Sequence, residues 1–162
     1  MIDDIVFTYK ASLIAKQITL ATHVDIDDLV HLLTVLFTQD IEFEPDLEKQ
    51  KNGLEQIIAN PSIGEILILK VEGRVVGMVS LLYSISTALG GKVAILEDMV
   101  IAADFRKKGL GKDLLNEAIN FAKQKGCLRL TLLTDFDNKT AIRFYESAGF
   151  SLSKMVPLRL VF

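Results

Sequence analysis

The sequence predicts a single mixed α/β domain built on a mostly antiparallel sheet. Three observations carry this. Apolar residues recur at helical spacing from Ile26 to Leu33, and from Glu65 the pattern changes to apolar, strand-like runs as far as Ile101. A glycine-punctuated loop, a helix, a strand and a second helix follow, so one pair of strands is joined by a crossover and must be parallel. The 162 residues, 50% hydrophobic and 24% charged, suffice for one sizeable core, and no repeat, low-complexity tract or linker divides them.

Residues 1–14 precede the first clear element; Val6, Phe7, Leu13 and Ile14 fit an added helix, an added strand or an ordered arm. Residues 17–22 alternate enough for a first strand. Asp25 then suits a helix cap, and Ile26, Leu29, Val30, Leu32 and Leu33 give the helix a buried face. His23 and His31 lie in this region without a partner motif and are read as surface or packing residues.

Residues 39–46 are acidic. Asp40, Glu42 and Glu44 either attract a cation or form a solvated loop before a helix with Pro45 near its start. That second helix is expected over 46–59, weakened by Gly53 and broken by Asn-Pro-Ser at 60–62.

Strands are expected at 66–71 and 75–86, joined by a Glu-Gly-Arg turn, and at 93–101. Leu114, Leu115, Ala118, Ile119 and Ala122 stripe a helix that Gly126 ends. A strand over 128–134, a helix over 138–148 and two last strands around Pro157 complete the chain.

Several function classes are disfavoured. The mean hydropathy of +0.35 is high for a soluble chain. Yet the uncharged run 75–91 contains two adjacent glycines and several Ser and Thr, and falls short of the ~20 apolar residues a spanning helix needs. It reads as a buried strand and a loop, with no membrane partner. Asp3 and Asp4 stand where a secretory signal would be basic, so the cytoplasm is the expected compartment. One cysteine, Cys127, excludes an internal disulfide, and one Cys with two His cannot build a four-ligand structural zinc site. Cys127 reads as a packed, inert thiol. A net charge of −3 argues mildly against nucleic acid.

The chemistry concentrates in 96–112, L-E-D-M-V-I-A-A-D-F-R-K-K-G-L-G-K. A strand carrying two carboxylates enters a turn, then an R-x-x-G-x-G loop, then a helix. That order sets free backbone N–H groups and the positive end of a helix dipole beside a strand end, which makes an anion site. Gly109 and Gly111 let a diphosphate approach the main chain, and Arg106, Lys107, Lys108 and Lys112 surround it with positive charge. Asp113 follows Lys112 where a Walker A loop needs Ser or Thr, and no G-x-G-x-x-G occurs. A diphosphate that needs no metal, such as that of coenzyme A, fits what remains.

This stretch resembles the acyl-coenzyme A binding motif of the GNAT superfamily of N-acetyltransferases, and its L-E-D at 96–98 is similar to the diamine (polyamine) branch. The later block N-K-T-A-I-R-F-Y-E-S-A-G-F at 138–150 resembles the family's second signature, N-x-x-A-x-x-F-Y-x-x-x-G-F. Ala103, where proline is common, and Lys107, where glycine is frequent, depart from the pattern.

The resemblance implies one N-acetyltransferase domain over 1–162, with 1–14 as an N-terminal extension. Its fold is a central mixed, mostly antiparallel sheet of six to seven strands, about four helices, and fourth and fifth strands that splay apart. It implies acetyl-CoA as co-substrate, no metal, and a small-molecule primary amine as acceptor. A protein N-terminus or lysine, or a sensor without turnover, are the alternatives. A homodimer, if formed, would let a partner subunit contribute to the acceptor pocket.

Within that resemblance, Glu97 is the expected base, acting through water on an ammonium whose pKa of about 10.4 leaves about one molecule in several thousand neutral at pH 7. Asp98 is the fallback base: it should point to the opposite face of the strand, and a bulge could swap the two. Main-chain groups of Met99, Val100 and Ile101 are matched to the pantetheine and the thioester oxygen. Leu110 joins Arg106 to Lys112 around the diphosphate, Asn138 meets the pantetheine amides, and Tyr145 protonates the departing thiolate while Phe144 packs in the core.

Overall fold

Short-range chemistry sets most element boundaries in the computed structural model, which describes residues 15–38 and 44–162. The elements are β1 (Lys16–Leu20), α1 (Ile26–Phe37), α2 (Leu47–Ala59), β2 (Gly64–Val71), β3 (Arg74–Ser86), β4 (Gly91–Ile101), α3 (Leu110–Gln124), β5 (Leu130–Leu132) and α4 (Lys139–Ser147). Asp46 caps α2 by accepting from Lys49 N at 3.1 Å, and Asn138 caps α4 by accepting from Ala141 N at 3.0 Å. The β2–β3 hairpin turns at Glu72 and Gly73, both with positive φ (51° and 79°), as a two-residue hairpin loop favours.

Asp25 is not the side-chain cap expected of it. It is buried, and one carboxylate oxygen accepts from both the backbone N and the hydroxyl of Thr22, each at 2.9 Å, while the other takes Lys70 Nζ at 2.8 Å. Burial alone would raise its pKa, but the Lys70 and Thr22 hydrogen bonds outweigh it and hold the carboxyl below its ordinary value. It ties the start of α1 to β2.

The strand order is β1-β2-β3-β4-β5, antiparallel except for β4 and β5. Helix α3 is the crossover that makes them parallel. On one sheet face α3 packs Leu114, Leu115, Ala118 and Ala122 against Leu69, Val79, Leu81 and Leu96. On the other, α1 and α2 cover Ile66, Ile68, Met78 and Val100 with Leu29, Leu32, Leu33 and Leu54. Gly77 allows β3 and the end of β4 to close, since a Cβ there would lie 2.5 Å from Ile101 Cδ1. The uncharged run became β3, and no described helix is long and apolar enough to cross a membrane.

Two expectations are corrected. The described residues form five strands rather than six or seven, because 151–162 are exposed and pair with no strand. Strand β5 is also shorter than 128–134, covering only Leu130–Leu132: past Leu132 its partner β4 bulges and stops pairing with it, while Leu128 and Arg129 reach β4 through one backbone hydrogen bond each. The arm expected at 1–14 and the acidic Asp40 and Glu42 lie outside the described residues; Glu44 is exposed ahead of α2.

Candidate active site

The site begins where β4 stops being regular. Ser80 of β3 faces Glu97 and Met78 faces Val100, so Val79 alone opposes both Asp98 and Met99. One extra residue on β4 makes a β-bulge, and Asp98 takes a left-handed conformation (φ 52°), which Asp tolerates better than most residues.

The bulge cancels the strict alternation expected for this pair. Glu97 lies in register with Ser80, and Asp98 Oδ2 accepts a long hydrogen bond, 3.4 Å, from the fully buried Ser80 hydroxyl. The two carboxylates therefore share the α1/α2 side of the sheet. Glu97 is exposed, whereas Asp98 is mostly buried. Burial first, and then the neighbouring Glu97 charge, push the Asp98 pKa up to about 6 against the pull of Ser80.

The same bulge opens the sheet. Hydrogen bonds from Leu128 N to the Lys92 carbonyl at 2.8 Å and from Ala94 N to the Arg129 carbonyl at 3.0 Å lead into the pairing of β4 with β5, which runs from Ala94 and Leu130 to Leu96 and Leu132. Beyond it the β5-facing backbone edge of Glu97 to Ile101 has no strand beside it among the described residues, which is the expected splay. Met99, Ile101, Phe144 and Tyr145 pack against the core on the α3 side. The open edge thus separates two carboxylates on one side of the sheet from a phenol on the other.

Tyr145 is held by aromatic contacts, with Phe144 at 5.2 Å and Phe150 at 5.8 Å between ring centroids, both edge to face. Burial raises its pKa, so the phenol keeps its proton at neutral pH. Asn138 serves as the α4 cap on an exposed turn.

The loop between β4 and α3, expected to meet the diphosphate, is anchored from several sides. Arg106 Nε donates to the Ile101 carbonyl at 2.9 Å, folding the loop back on the end of β4. The Phe105 ring centroid is 5.8 Å from the Arg74 guanidinium carbon and 5.1 Å from Lys108 Nζ. Lys107 and Gly109 have positive φ (59° and 79°), and Gly109 leads into α3. A helix start leaves the N–H groups of Leu110, Gly111 and Lys112 without intrahelical acceptors. Lys107, Lys108 and Lys112 are exposed around them.

Gly111 sits where β4, α3 and α4 meet: a Cβ would lie 3.7 Å from Ile101 Cγ1 and 3.8 Å from Phe144 Cζ. The nearby Asp113 would oppose an anion, but Lys16 Nζ neutralises it at 2.6 Å.

Residues to which sequence reasoning gave no site role also border this region. A groove of about 430 Å³ runs between α1, the β2–β3 turn and the end of β4, lined among others by Asp28, His31, Arg74, Asp104 and Phe105. Their separation along the chain left no pattern to read. Ser80 carried a weak signal, as a lone hydroxyl in the apolar run Met78 to Leu82. Among the described residues no group of His, Cys, Asp and Glu is arranged to hold a metal. Cys127 is half-buried, and burial raises its thiol pKa, which makes it a poor nucleophile.

The model of the acetyltransferase (GNAT) family matches residues 26–150. An uncharacterized N-acetyltransferase of Methanocaldococcus jannaschii is 35% identical over 58% of this chain, an alignment spanning 43% of that relative's length. An uncharacterized N-acetyltransferase of Bacillus subtilis is 32% identical over 71% of this chain and 78% of its own. The crystal structure of a possible acetyltransferase from Clostridium difficile 630 superposes with a TM-score of 0.80 at 19% identity, over 91% of this chain and 99% of the other, a likeness of fold.

Proposed function

The chain belongs to the acetyltransferase (GNAT) family, and on that premise we propose that it moves an acetyl group from acetyl-CoA to a primary amine of a small molecule by direct attack in a ternary complex. The observation that carries this reading is the β4 bulge. One irregularity unpairs a stretch of backbone, gathers two carboxylates on one side of it and leaves a protonated phenol on the other.

In this reading the diphosphate of the donor meets the N–H groups of Leu110, Gly111 and Lys112 and the charges of Arg106, Lys107, Lys108 and Lys112. Gly109 holds the turn before them. Main-chain groups of Met99, Val100 and Ile101 bind the pantetheine arm and polarise the thioester carbonyl, and Asn138 adds a polar contact at the start of α4.

The acceptor arrives as an ammonium, and Glu97 beside Asp98 favours a cationic amine, in keeping with the diamine-like L-E-D. Glu97 takes its proton through water, the neutral nitrogen attacks the carbonyl carbon, and the tetrahedral intermediate collapses with cleavage of the carbon–sulfur bond. The nitrogen gives up its second proton to solvent, while Tyr145 gives its proton to the sulfur and is reprotonated from solvent. Acetyl transfer thus leaves an amide and free coenzyme A.

A second assignment of the base has its own support. Asp98, with a pKa of about 6, is better matched to accepting a proton near neutrality than an ordinary carboxylate. If it is the base, kcat/KM falls as pH drops through about 6, and Asp98→Asn removes that limb. If Glu97 is the base, Asp98→Asn keeps most of its turnover.

The test is release of free coenzyme A from acetyl-CoA against a panel of amines, with products read by mass spectrometry. A mass gain of one acetyl group on a small amine is the expected result. Binding of donor without thiol release would identify a sensor, and acetylation restricted to peptide N-termini or lysines would replace the small-molecule acceptor.

A further inference from the structure

The sheet face that holds the two carboxylates continues past them. Ile95 stands two residues before Glu97, ahead of the bulge, where β4 is still in regular register: Glu97 faces Ser80 and Ile95 faces Leu82. Alternation therefore puts Ile95 and Leu82 on the same α1/α2 side as Glu97. On its other flank Ile95 pairs with Thr131 of β5, so an uncharged side chain borders it there too.

This stretch is apolar and only partly covered. Further along the two strands α1 and α2 bury Met78 and Val100, but Ile95 is 39% exposed, with Leu82 half-buried beside it. A Cβ on Gly64, the partner of Leu82 in β2, would lie 2.9 Å from Leu82 Cδ2 and 3.3 Å from Ile57 Cγ2. The bare backbone at 64 thus lets α2 close on this floor from one side. Among the described strand residues of this face the only carboxylates are Glu97 and Asp98.

We propose that Ile95 and Leu82 form the floor for the hydrocarbon part of the acceptor, so that the preferred substrate is a primary amine with one positive charge and an apolar chain, rather than a diamine. This inference rests on the acetyl-transfer reading and deepens it. The two carboxylates draw the ammonium. Two residues of strand, about 7 Å, separate Glu97 from Ile95, a span that a chain of about six carbons covers. Carbon laid on Ile95 and Leu82 leaves water, which favours binding. A second ammonium laid there would lose its water and meet no opposite charge. The L-E-D at 96–98 thus accounts for one cationic head and leaves the far end of the acceptor to the apolar floor.

The test compares hexylamine with hexane-1,6-diamine near neutral pH, where both ends of the diamine are charged. Two readouts are taken: kcat/KM for release of free coenzyme A, and calorimetric titration of each amine into protein saturated with coenzyme A, which needs no turnover. Hexylamine should lead by about tenfold or more in both. From propylamine to hexylamine, kcat/KM should rise about twofold to threefold per methylene. Ile95→Asp should reverse the order by giving the second ammonium a partner, and Ile95→Leu should keep it. A diamine that binds as tightly as hexylamine would overturn the inference. So would indifference to chain length, an unchanged order in Ile95→Asp, or no binding of either amine. Thiol release with the diamine preferred would leave acetyl transfer standing and remove the floor. Selective hexylamine binding that Ile95→Asp reverses, without thiol release, would keep the floor and remove acetyl transfer.

Discussion

The two halves of β4 are made from similar residues and do opposite work. From Gly91 to Leu96 the strand is in regular register with β3, and from Ala94 it pairs with β5 as well, with Val93, Ala94 and Leu96 buried. From Glu97 to Ile101 it bulges, loses β5 and presents carboxylates, one of them in a left-handed conformation. The first half commits its backbone to the sheet, and the second leaves its β5-facing backbone edge unpaired among the described residues, where the proposed function seats its donor. An anchored strand tolerates a defect at its end, and the defect is where chemistry can be done.

Substitutions on the two halves should therefore separate turnover from stability. Glu97→Gln is expected to lower kcat by about 10²–10⁴-fold while leaving acetyl-CoA affinity within about twofold, as steady-state kinetics and calorimetric titration would show. Equal losses in both would erase the distinction between the halves.

Leu96→Ala should do the reverse. Leu96 is 2% exposed against α3, so its truncation should cost about 2–5 kcal/mol in urea unfolding, while the protein that remains folded keeps its kcat.

Asp98→Asn sharpens the contrast by showing that the irregular half is held at a cost. The folded protein raises the Asp98 pKa from 3.8 to about 6, so it binds this proton more tightly than the unfolded chain does. Ionising the carboxyl then destabilises the fold, with the penalty growing from about pH 4 to pH 6 and complete above it. The variant should gain on the order of 2 kcal/mol in urea unfolding at about pH 8 and little at about pH 4. Equal effects at both pH values would mean that the carboxylate carries no such penalty.

The smallest expected effect is at Gly109, where φ is 79° and an added Cβ would meet no atom within 4 Å. Gly109→Ala has room but must adopt a left-handed backbone, at about 1–2 kcal/mol. Donor affinity should fall by about tenfold in a binding titration, with kcat at saturating donor little changed.

By itself the sequence determined the fold class, the order of elements from β1 to α4 and the place of the glycine-containing loop between β4 and α3. Those follow from short-range patterns: Leu114, Leu115, Ala118 and Ala122 at helical spacing, the apolar run 66–69, and Gly109 and Gly126 at turns. The tertiary structure alone decided which face Asp98 takes, that Asp25 anchors β2 rather than capping α1, that β5 stops at Leu132 and that 151–162 pair with no described strand of their own chain. Each of these depends on the strand or side chain that arrives opposite, and periodicity along a chain describes one partner of a contact without fixing the register of the other.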